Sequence, residues 1–148
     1  MTPEQLFSIL NAIAAVAWIV LAVAPRRRWA NLIVPTVVPL ALAVVYVAIV
    51  AAVWTRSEGG FSSLADVATL FQNPWMLLAG WTHYLAFDLL VGSWEARDAA
   101  ERGVPYFLLL PCLVLTFLFG PAGWLLYLGG RSAMARAGGY PLTPPARR

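Results

Sequence analysis

His83 and Asp88 are the residues most able to do chemistry, because both are ionisable and lie in an apolar run, residues 75–94, that is long enough to span a bilayer. An unpaired charge near the middle of a membrane costs about 2.5–3.5 kcal/mol on insertion scales, so such residues are candidates for a functional site. The plain alternative is that both side chains only join helices through hydrogen bonds, which contribute about 0.6–2 kcal/mol each.

Helical spacing limits the chemistry that these residues could share. His83 points about 140° away from Asp88 on a straight helix, so a direct His–Asp dyad is not expected unless both border one cavity or a π-bulge brings them together. Tyr84 and Asp88 are four residues apart and can meet, so Tyr84 could donate to the carboxylate. In a low-dielectric setting without a cation beside it, Asp88 is expected to be protonated near neutral pH, which makes it a candidate proton donor.

The sequence gives little indication of a metal site, a disulfide, or a site for phosphoryl or acyl transfer. A metal is not expected, because His83, Asp88 and Glu95 point in diverging directions and no further His or Cys group supports them. Cys112 is the only cysteine, so a disulfide within one chain is excluded. There is no Gly-rich phosphate loop and no nucleophile elbow, and we expect no cofactor.

Composition places the chain in a membrane. Of its 148 residues 61% are hydrophobic and 11% charged, which is too little charge to cover a water-soluble surface. All ten basic residues are arginine, grouped near the ends of apolar runs, so the net charge of +3 indicates the positive-inside effect and no nucleic acid partner. The expected partners are membrane lipids, and a homo-oligomer is left open.

Four apolar runs, residues 6–24, 30–54, 75–94 and 105–128, reach the length of a spanning helix. The sequence thus predicts an all-α polytopic protein with one domain of four transmembrane helices over residues 1–130 and an irregular tail over 131–148. Prolines predict bends early in the second run and at Pro111 and Gly120-Pro121 in the fourth. Thr2 and Pro3 predict the start of the first helix, which we expect to be retained, because no basic residues precede it as in a signal peptide.

A short amphipathic helix is predicted between the second and third spans. Ser63 and Asp66 have capping-box spacing, and apolar residues up to Phe71 share one helical face, so this segment is expected to lie in the membrane interface. Arginines in the first and third loops predict that both termini face outward. The arginines of the tail, Arg131, Arg136, Arg147 and Arg148, oppose that orientation.

Three segments carry a further signal: residues 61–71, residues 78–94 (LAGWTHYLAFDLLVGSW) and residues 111–123 (PCLVLTFLFGPAG). Together they resemble the ABA-deficient-four-like family of small integral membrane proteins. Plant members of that family lie in plastid membranes and are implicated in converting the epoxycarotenoid violaxanthin to its allenic isomer neoxanthin. The family pattern maps onto Trp81, His83, Tyr84, Asp88, Gly92 and Trp94, and onto Pro111, Thr116, Phe117, Gly120, Pro121 and Gly123.

The resemblance implies a redox-neutral isomerisation that opens an epoxide and removes a neighbouring proton, which needs an acid and a base. We expect His83 and Asp88 to fill these roles in either order, on a carotenoid or other isoprenoid held in a groove between kinked helices. Substrate-binding residues would be Trp81, Tyr84, Gly92, Thr116, Phe117 and Gly120. No transit segment precedes the first helix, so we expect a bacterial relative in the cytoplasmic membrane.

Two other classes stay open. A non-catalytic lipid- or pigment-binding subunit would use the same groove, with Asp88 binding only a hydroxyl or headgroup. A small proton-conducting or transport protein would need a water path to Asp88 from both sides, and four spans are few for that.

Overall fold

A computed structural model of the chain describes residues 1–25 and 33–138. Its helices are α1 (Pro3–Val23), α2 (Ile33–Arg56), α3 (Leu64–Leu70), α4 (Pro74–Arg102), α5 (Tyr106–Phe119) and α6 (Pro121–Arg136). The described ranges contain no strand, which confirms the all-α class.

Local sequence explains where the long helices start and stop. The Thr2 hydroxyl accepts from the Gln5 amide while the Gln5 side chain accepts from the Thr2 amide, so α1 begins with a capping box. The Asn73 side chain caps α4 by accepting from the Trp75 amide at 2.9 Å. Gly103, in the left-handed region at φ 72°, ends α4.

The bend predicted in the second run takes the form of a π-helical turn. α2 opens with this turn at Ile33–Val37, continues as an α-helix over Val38–Val53 and closes with a 3₁₀ turn at Trp54–Arg56. Pro35 and Pro39 lack amide donors, so the regular hydrogen-bond ladder cannot run through this part of the helix. The predicted start of the run, residues 30–32, lies outside the described residues.

The short helix predicted before the third run is present as α3. The Ser63 hydroxyl accepts from the Asp66 amide at 3.1 Å, and Leu70 is buried while Phe61 and Leu64 are exposed. The C-terminal end of this segment, at Leu70, therefore packs against the rest of the protein, whereas its N-terminal end, at Phe61 and Leu64, faces outward. Its position in a membrane interface stays a prediction.

The fourth run is not the single bent helix that its length predicts. α5 ends at Phe119, Gly120 takes φ 47°, and α6 begins at Pro121 and returns alongside α5. A Cβ atom placed on Gly130 would lie 3.1 Å from Leu108 Cδ1, whereas these residues would be about 33 Å apart along one straight helix. Residues 105–128 thus belong to a helical hairpin, which corrects the prediction of one continuous bent helix over this run.

The hairpin forms because its glycines let the chain reverse and the helices approach. Gly120 adopts a conformation that L side chains rarely take, and Pro121 is suited to the first turn of the helix that follows. α6 runs on to Arg136, so residues 131–136 are helical, contrary to the irregular tail expected from 131 onward. Residues 139–148 lie outside the described part of the chain.

The core is arranged around α4. One cluster joins α4 to α1 and α2 through residues such as Leu10, Leu42 and Leu85, and a second joins α4 to α1 and the hairpin through Trp18 and Leu113, among others. Within the described residues, α1 and the segment Ile33–Arg56 are long and apolar enough to cross a membrane by length and composition. α4 carries charges in its last turns, and the hairpin helices are shorter.

Candidate functional site

Three carboxyl side chains lie in a row along the side of α4 that faces the hairpin. Asp88, Glu95 and Asp98 have relative exposures of 9%, 0% and 7%. Their spacing of seven and three residues places them within about 80° of one another on a helix. The row therefore runs from the tip of the hairpin toward its open end.

Asp88 lies directly against the hairpin tip. A Cβ atom on Gly120 would be 2.8 Å from Asp88 Oδ1, so only glycine allows this approach with the present side-chain position. The second carboxyl oxygen, Oδ2, is buried and has no hydrogen-bond partner among the described residues. A buried oxygen of this kind is a place where a ligand or a proton could be held.

Tyr84 lies one turn before Asp88, on the same side of α4. Its hydroxyl donates to the Phe117 carbonyl at 3.4 Å, a long hydrogen bond, and is close enough to interact with the Asp88 carboxyl. The carbonyl belongs to the last turn of α5, just before the break at Gly120. The structure thus brings together Tyr84, Asp88, Phe117 and Gly120, four of the residues singled out from the sequence.

Glu95 occupies the middle of the row and is fully enclosed. The Thr116 hydroxyl donates to Glu95 Oε1 at 3.0 Å, with Oε2 at 3.2 Å. Thr116 in turn lies under Gly123, whose Cβ, if present, would be 2.2 Å from the Thr116 hydroxyl oxygen. Thr116 is therefore placed to join the hairpin to α4, away from the tip.

Asp98 forms an ion cluster at the open end of the hairpin. It accepts from Arg102 at 2.7 Å, from Arg131 at 2.8 Å and from the Tyr127 hydroxyl at 2.6 Å. Asp98 lies beyond the predicted span 75–94. Burial opposes its ionisation, but the hydrogen bonds from Arg102, Tyr127 and Arg131 outweigh burial and hold the pKa of Asp98 below its usual range.

His83 is on another side of α4 and does not meet Asp88. Its ring stacks on Phe87 with centroids 4.4 Å apart and lies 5.6 Å from the Tyr46 ring of α2. The angular separation predicted from the helical spacing is therefore present in the fold. An acid–base pair of His83 and Asp88 is not assembled in this structure.

Trp81 and Gly92 face α1. The Trp81 indole donates to the Asn11 side chain at 3.1 Å, and its ring lies 5.3 Å from Tyr84. Gly92 is covered by Trp18, since a Cβ atom there would be 2.3 Å from the indole ring. Trp81 thus borders the region around Tyr84, whereas Gly92 provides room for Trp18.

Two apolar grooves open on one face of α1, on either side of Asn11. The first, about 350 Å³, is bordered by Phe7 and Trp81 among others. The second, about 280 Å³, is bordered by Trp18 and Phe117 among others. The α1 residues of both grooves fall within about 160° of helical rotation. Tyr84 lies between them, because it contacts Trp81 of the first groove and the Phe117 carbonyl of the second.

The sequence did not reveal the part of the site formed by Glu95, Asp98 and their partners. The sequence pattern indicates Glu95 only as a possible metal ligand and does not indicate Asp98, Tyr127 or Arg131 as site residues. A signal was present, because Asp88, Glu95 and Asp98 share a helical face at membrane depth or just beyond it. Their partners lie on the returning helix of the hairpin, which the apolar run did not reveal. Among the described residues no group of His, Cys, Asp and Glu is placed to hold a metal ion.

Fold and site define a small all-α protein in which a broken helical hairpin closes over a row of buried carboxyl groups. Residues 5–127 match the family model described as ABA DEFICIENT 4-like. The chain therefore belongs to the ABA DEFICIENT 4-like family, as the resemblance of its sequence segments predicted. Comparison with curated proteins and with solved structures found no significant match.

Proposed function

We propose that this protein is a membrane-embedded isomerase that acts on an apolar isoprenoid through Asp88 and Tyr84. The observation that carries the proposal is the Asp88 carboxyl, which is buried at the hairpin tip with one oxygen lacking a partner in the described structure. Family membership supports a neoxanthin synthase-like membrane protein at the level of the family. The substrate class and the mechanism are our inference from the site.

A single carboxyl group can supply both the acid and the base for the opening of an epoxide to an allene. The protonated oxygen of Asp88 gives its proton to the epoxide oxygen as the carbon–oxygen bond breaks and that oxygen takes the electron pair. The other carboxyl oxygen takes the proton from the neighbouring vinylic carbon, and the carbon–hydrogen electron pair becomes the new double bond. The carboxyl ends in its starting state, so no oxidant or cofactor is consumed.

Tyr84 is placed to orient the oxygen of the substrate. Its hydroxyl lies between the Asp88 carboxyl and the Phe117 carbonyl, so it can donate to an epoxide oxygen held near Asp88. In this proposal Tyr84 is the partner of Asp88 instead of His83, whose ring faces α2. The two apolar grooves on either side of Tyr84 would hold the hydrocarbon parts of a long substrate.

We further propose that α1, α2 and residues 75–94 of α4 span the membrane and that α5 and α6 form a re-entrant hairpin. With 14 and 16 residues, the hairpin helices are about 21 Å and 24 Å long, short of the 30 Å of a bilayer core. Helical backbone that turns within the membrane is tolerated where it packs against protein, as the tip does against Asp88.

Charge supports this arrangement. With three spans and a returning hairpin, the segment between α1 and α2, the end of α4 and the tail all lie on one side of the membrane. Of the arginines in the described residues, Arg97, Arg102, Arg131 and Arg136 then fall on that side and Arg56 on the other, as the positive-inside rule favours. The arginines of the tail no longer oppose the orientation, as they do with four spans.

Single cysteines in a Cys112→Ser background test the arrangement. We expect Ala100→Cys and Ala137→Cys to react with a membrane-impermeant thiol reagent from one side and Gly60→Cys from the other. All three positions are at helix ends or in loops. Labelling of Ala137→Cys from the same side as Gly60→Cys would restore a fourth span and remove the re-entrant hairpin.

Product analysis tests the enzymatic proposal. Full-length protein in lipid nanodiscs is incubated with a panel of epoxycarotenoids, and the isomers are separated by chromatography and mass spectrometry. We expect conversion by the wild type and by Asp66→Asn, a control carboxyl on α3, and none by Asp88→Asn, which cannot exchange the proton. Equal conversion by Asp88→Asn would exclude the carboxyl mechanism. Binding without conversion by the wild type would favour a non-catalytic pigment-binding subunit.

A further inference from the structure

His83 borders a cavity that is separate from the Asp88 site. The cavity has a volume of about 310 Å³ and is lined by residues of α2, of α4 and of the segments that flank α3. Its walls are aromatic or apolar residues with one histidine: Tyr46, Phe61, Phe71, Met76, Ala79, Gly80 and His83. None of them takes part in the proposed reaction at Asp88.

The polar side chains of this cavity are few: His83 and Tyr46. His83 is an exposed residue and makes no hydrogen bond to any described residue, and its ring centroid lies 4.4 Å from that of Phe87 and 5.6 Å from that of Tyr46. Such stacking fixes the ring plane while leaving the ring nitrogens for a ligand. Among the described residues neither a carboxylate nor an arginine lines the cavity, so the site favours an uncharged ligand.

Small residues on α4 shape the other wall. Ala79 is buried, and a Cβ atom on Gly80 would be 3.1 Å from the Phe71 ring. Glycine at this position therefore lets Phe71 of the segment after α3 close down on α4. Phe61 forms the rim, since its side chain is 71% exposed and stacks on Trp54.

We propose that this cavity binds the oxygenated ring of a neutral isoprenoid, such as a quinone head or a hydroxylated end ring. Its volume lies at the small end of the range for ligand pockets, which suits one ring. Aromatic walls favour a flat or cyclic group, and His83 with Tyr46 can bind a single carbonyl or hydroxyl oxygen. The exposed rim at Phe61 leaves room for a hydrocarbon tail to pass into lipid.

Equilibrium binding to full-length protein in nanodiscs tests the proposal with two probes, a short-tailed benzoquinone and a dihydroxylated carotenoid without an epoxide. We expect at least one of them to bind at micromolar concentration. His83→Ala should weaken binding about tenfold by removing the hydrogen bond to the oxygen. Gly80→Leu, which fills the cavity, should weaken binding by a similar factor or more. Which probe binds identifies the source of the ring.

Matched controls keep the outcome clear. Gly129→Leu is a glycine replacement in open space and should bind like the wild type. Asp88→Asn should also bind normally, so that failure of the isomerase proposal and failure of this one are distinguishable. Melting curves exclude unfolding of each variant. The proposal is overturned if neither probe binds, or if binding survives both His83→Ala and Gly80→Leu.

Discussion

Replacing Gly123 with alanine should open the hairpin, because no space exists for a methyl group at this position. The added Cβ would lie 2.1 Å from the Thr116 amide nitrogen and 2.6 Å from the Cys112 carbonyl oxygen. Both are backbone atoms of α5, so no side-chain rotation can relieve the contact. The two helices must move apart by about 1 Å or more to reach ordinary contact distances of about 3.5 Å.

The expected loss of stability follows from two effects. Overpacking of this kind costs about 1–3 kcal/mol. Separation of the helices also weakens the hydrogen bond from Thr116 to the enclosed Glu95 carboxyl, and loss of a buried partner costs about 1–3 kcal/mol. Alanine is the better helix former, which offsets about 0.5–1 kcal/mol of this loss of stability. The net destabilisation is about 1–5 kcal/mol, which lowers the melting temperature by about 2–20 °C for a chain of this size.

The chain contains its own reporter for this measurement. Cys112 is the only cysteine, is fully buried and lies under Gly123, so a thiol-reactive dye in a thermal ramp reports hairpin opening. Gly129→Ala in the same helix is the matched control, because nothing lies within 4 Å of its added Cβ. We expect the control to melt at or slightly above the wild-type temperature. If Gly123→Ala melts with the control, the close packing of α5 and α6 is refuted.

Three further predictions concern the site. Arg131→Met removes one of the two ion pairs of buried Asp98 and should lower stability by about 1–3 kcal/mol, whereas Arg136→Met at the end of α6 should change the melting curve little. Because the folded pKa of Asp98 is lowered, its stabilisation is present above the usual carboxyl pKa of about 3.9 and is lost as pH falls through the folded pKa. The melting temperature, measured from pH 7 to pH 3, should therefore fall less steeply for Asp98→Asn than for the wild type. Tyr84→Phe should reduce isomer formation about tenfold with an unchanged melting curve, and full activity would show that its hydroxyl does not orient substrate.

Helix starts and helix faces could be predicted from the sequence because they depend on neighbouring residues. Thr2 and Pro3 specify the start of α1 through local hydrogen bonds, and the four-residue spacing of Tyr84 and Asp88 places both on one side of α4. The separation of His83 from Asp88 follows from the same geometry. These inferences need no knowledge of what packs against the helix.

The hairpin could not be predicted in the same way. Residues 105–128 are apolar throughout, and a Gly-Pro step is compatible with both a kink and a chain reversal. Gly123 and Gly130 are seven residues apart and share a helical face. That face can be recognised as a packing surface only when α5 is known to lie against it. The partners of Glu95 and Asp98 come from the hairpin, so the lower half of the site was missed for the same reason.

The arginines of the tail held a clue to this error. In a four-span arrangement they lie on the side opposite the other arginine clusters, which the positive-inside rule disfavours. Such a conflict is a physical reason to question one of the spans. The span to question is the fourth run, because Gly120 and Pro121 interrupt it.

Both the membrane arrangement and the Asp88 site depend on the return of α6 along α5, and one cross-linking experiment tests that return most directly. Leu108 and Gly130 are replaced by cysteine together in a Cys112→Ser background, and the protein is oxidised mildly in its native membrane. A Cβ at Gly130 lies 3.1 Å from the Leu108 side chain, so we expect a disulfide within the chain. The control pair Leu108→Cys with Gly129→Cys should cross-link much less. A chain that stays reduced under conditions that oxidise other close pairs would contradict the hairpin.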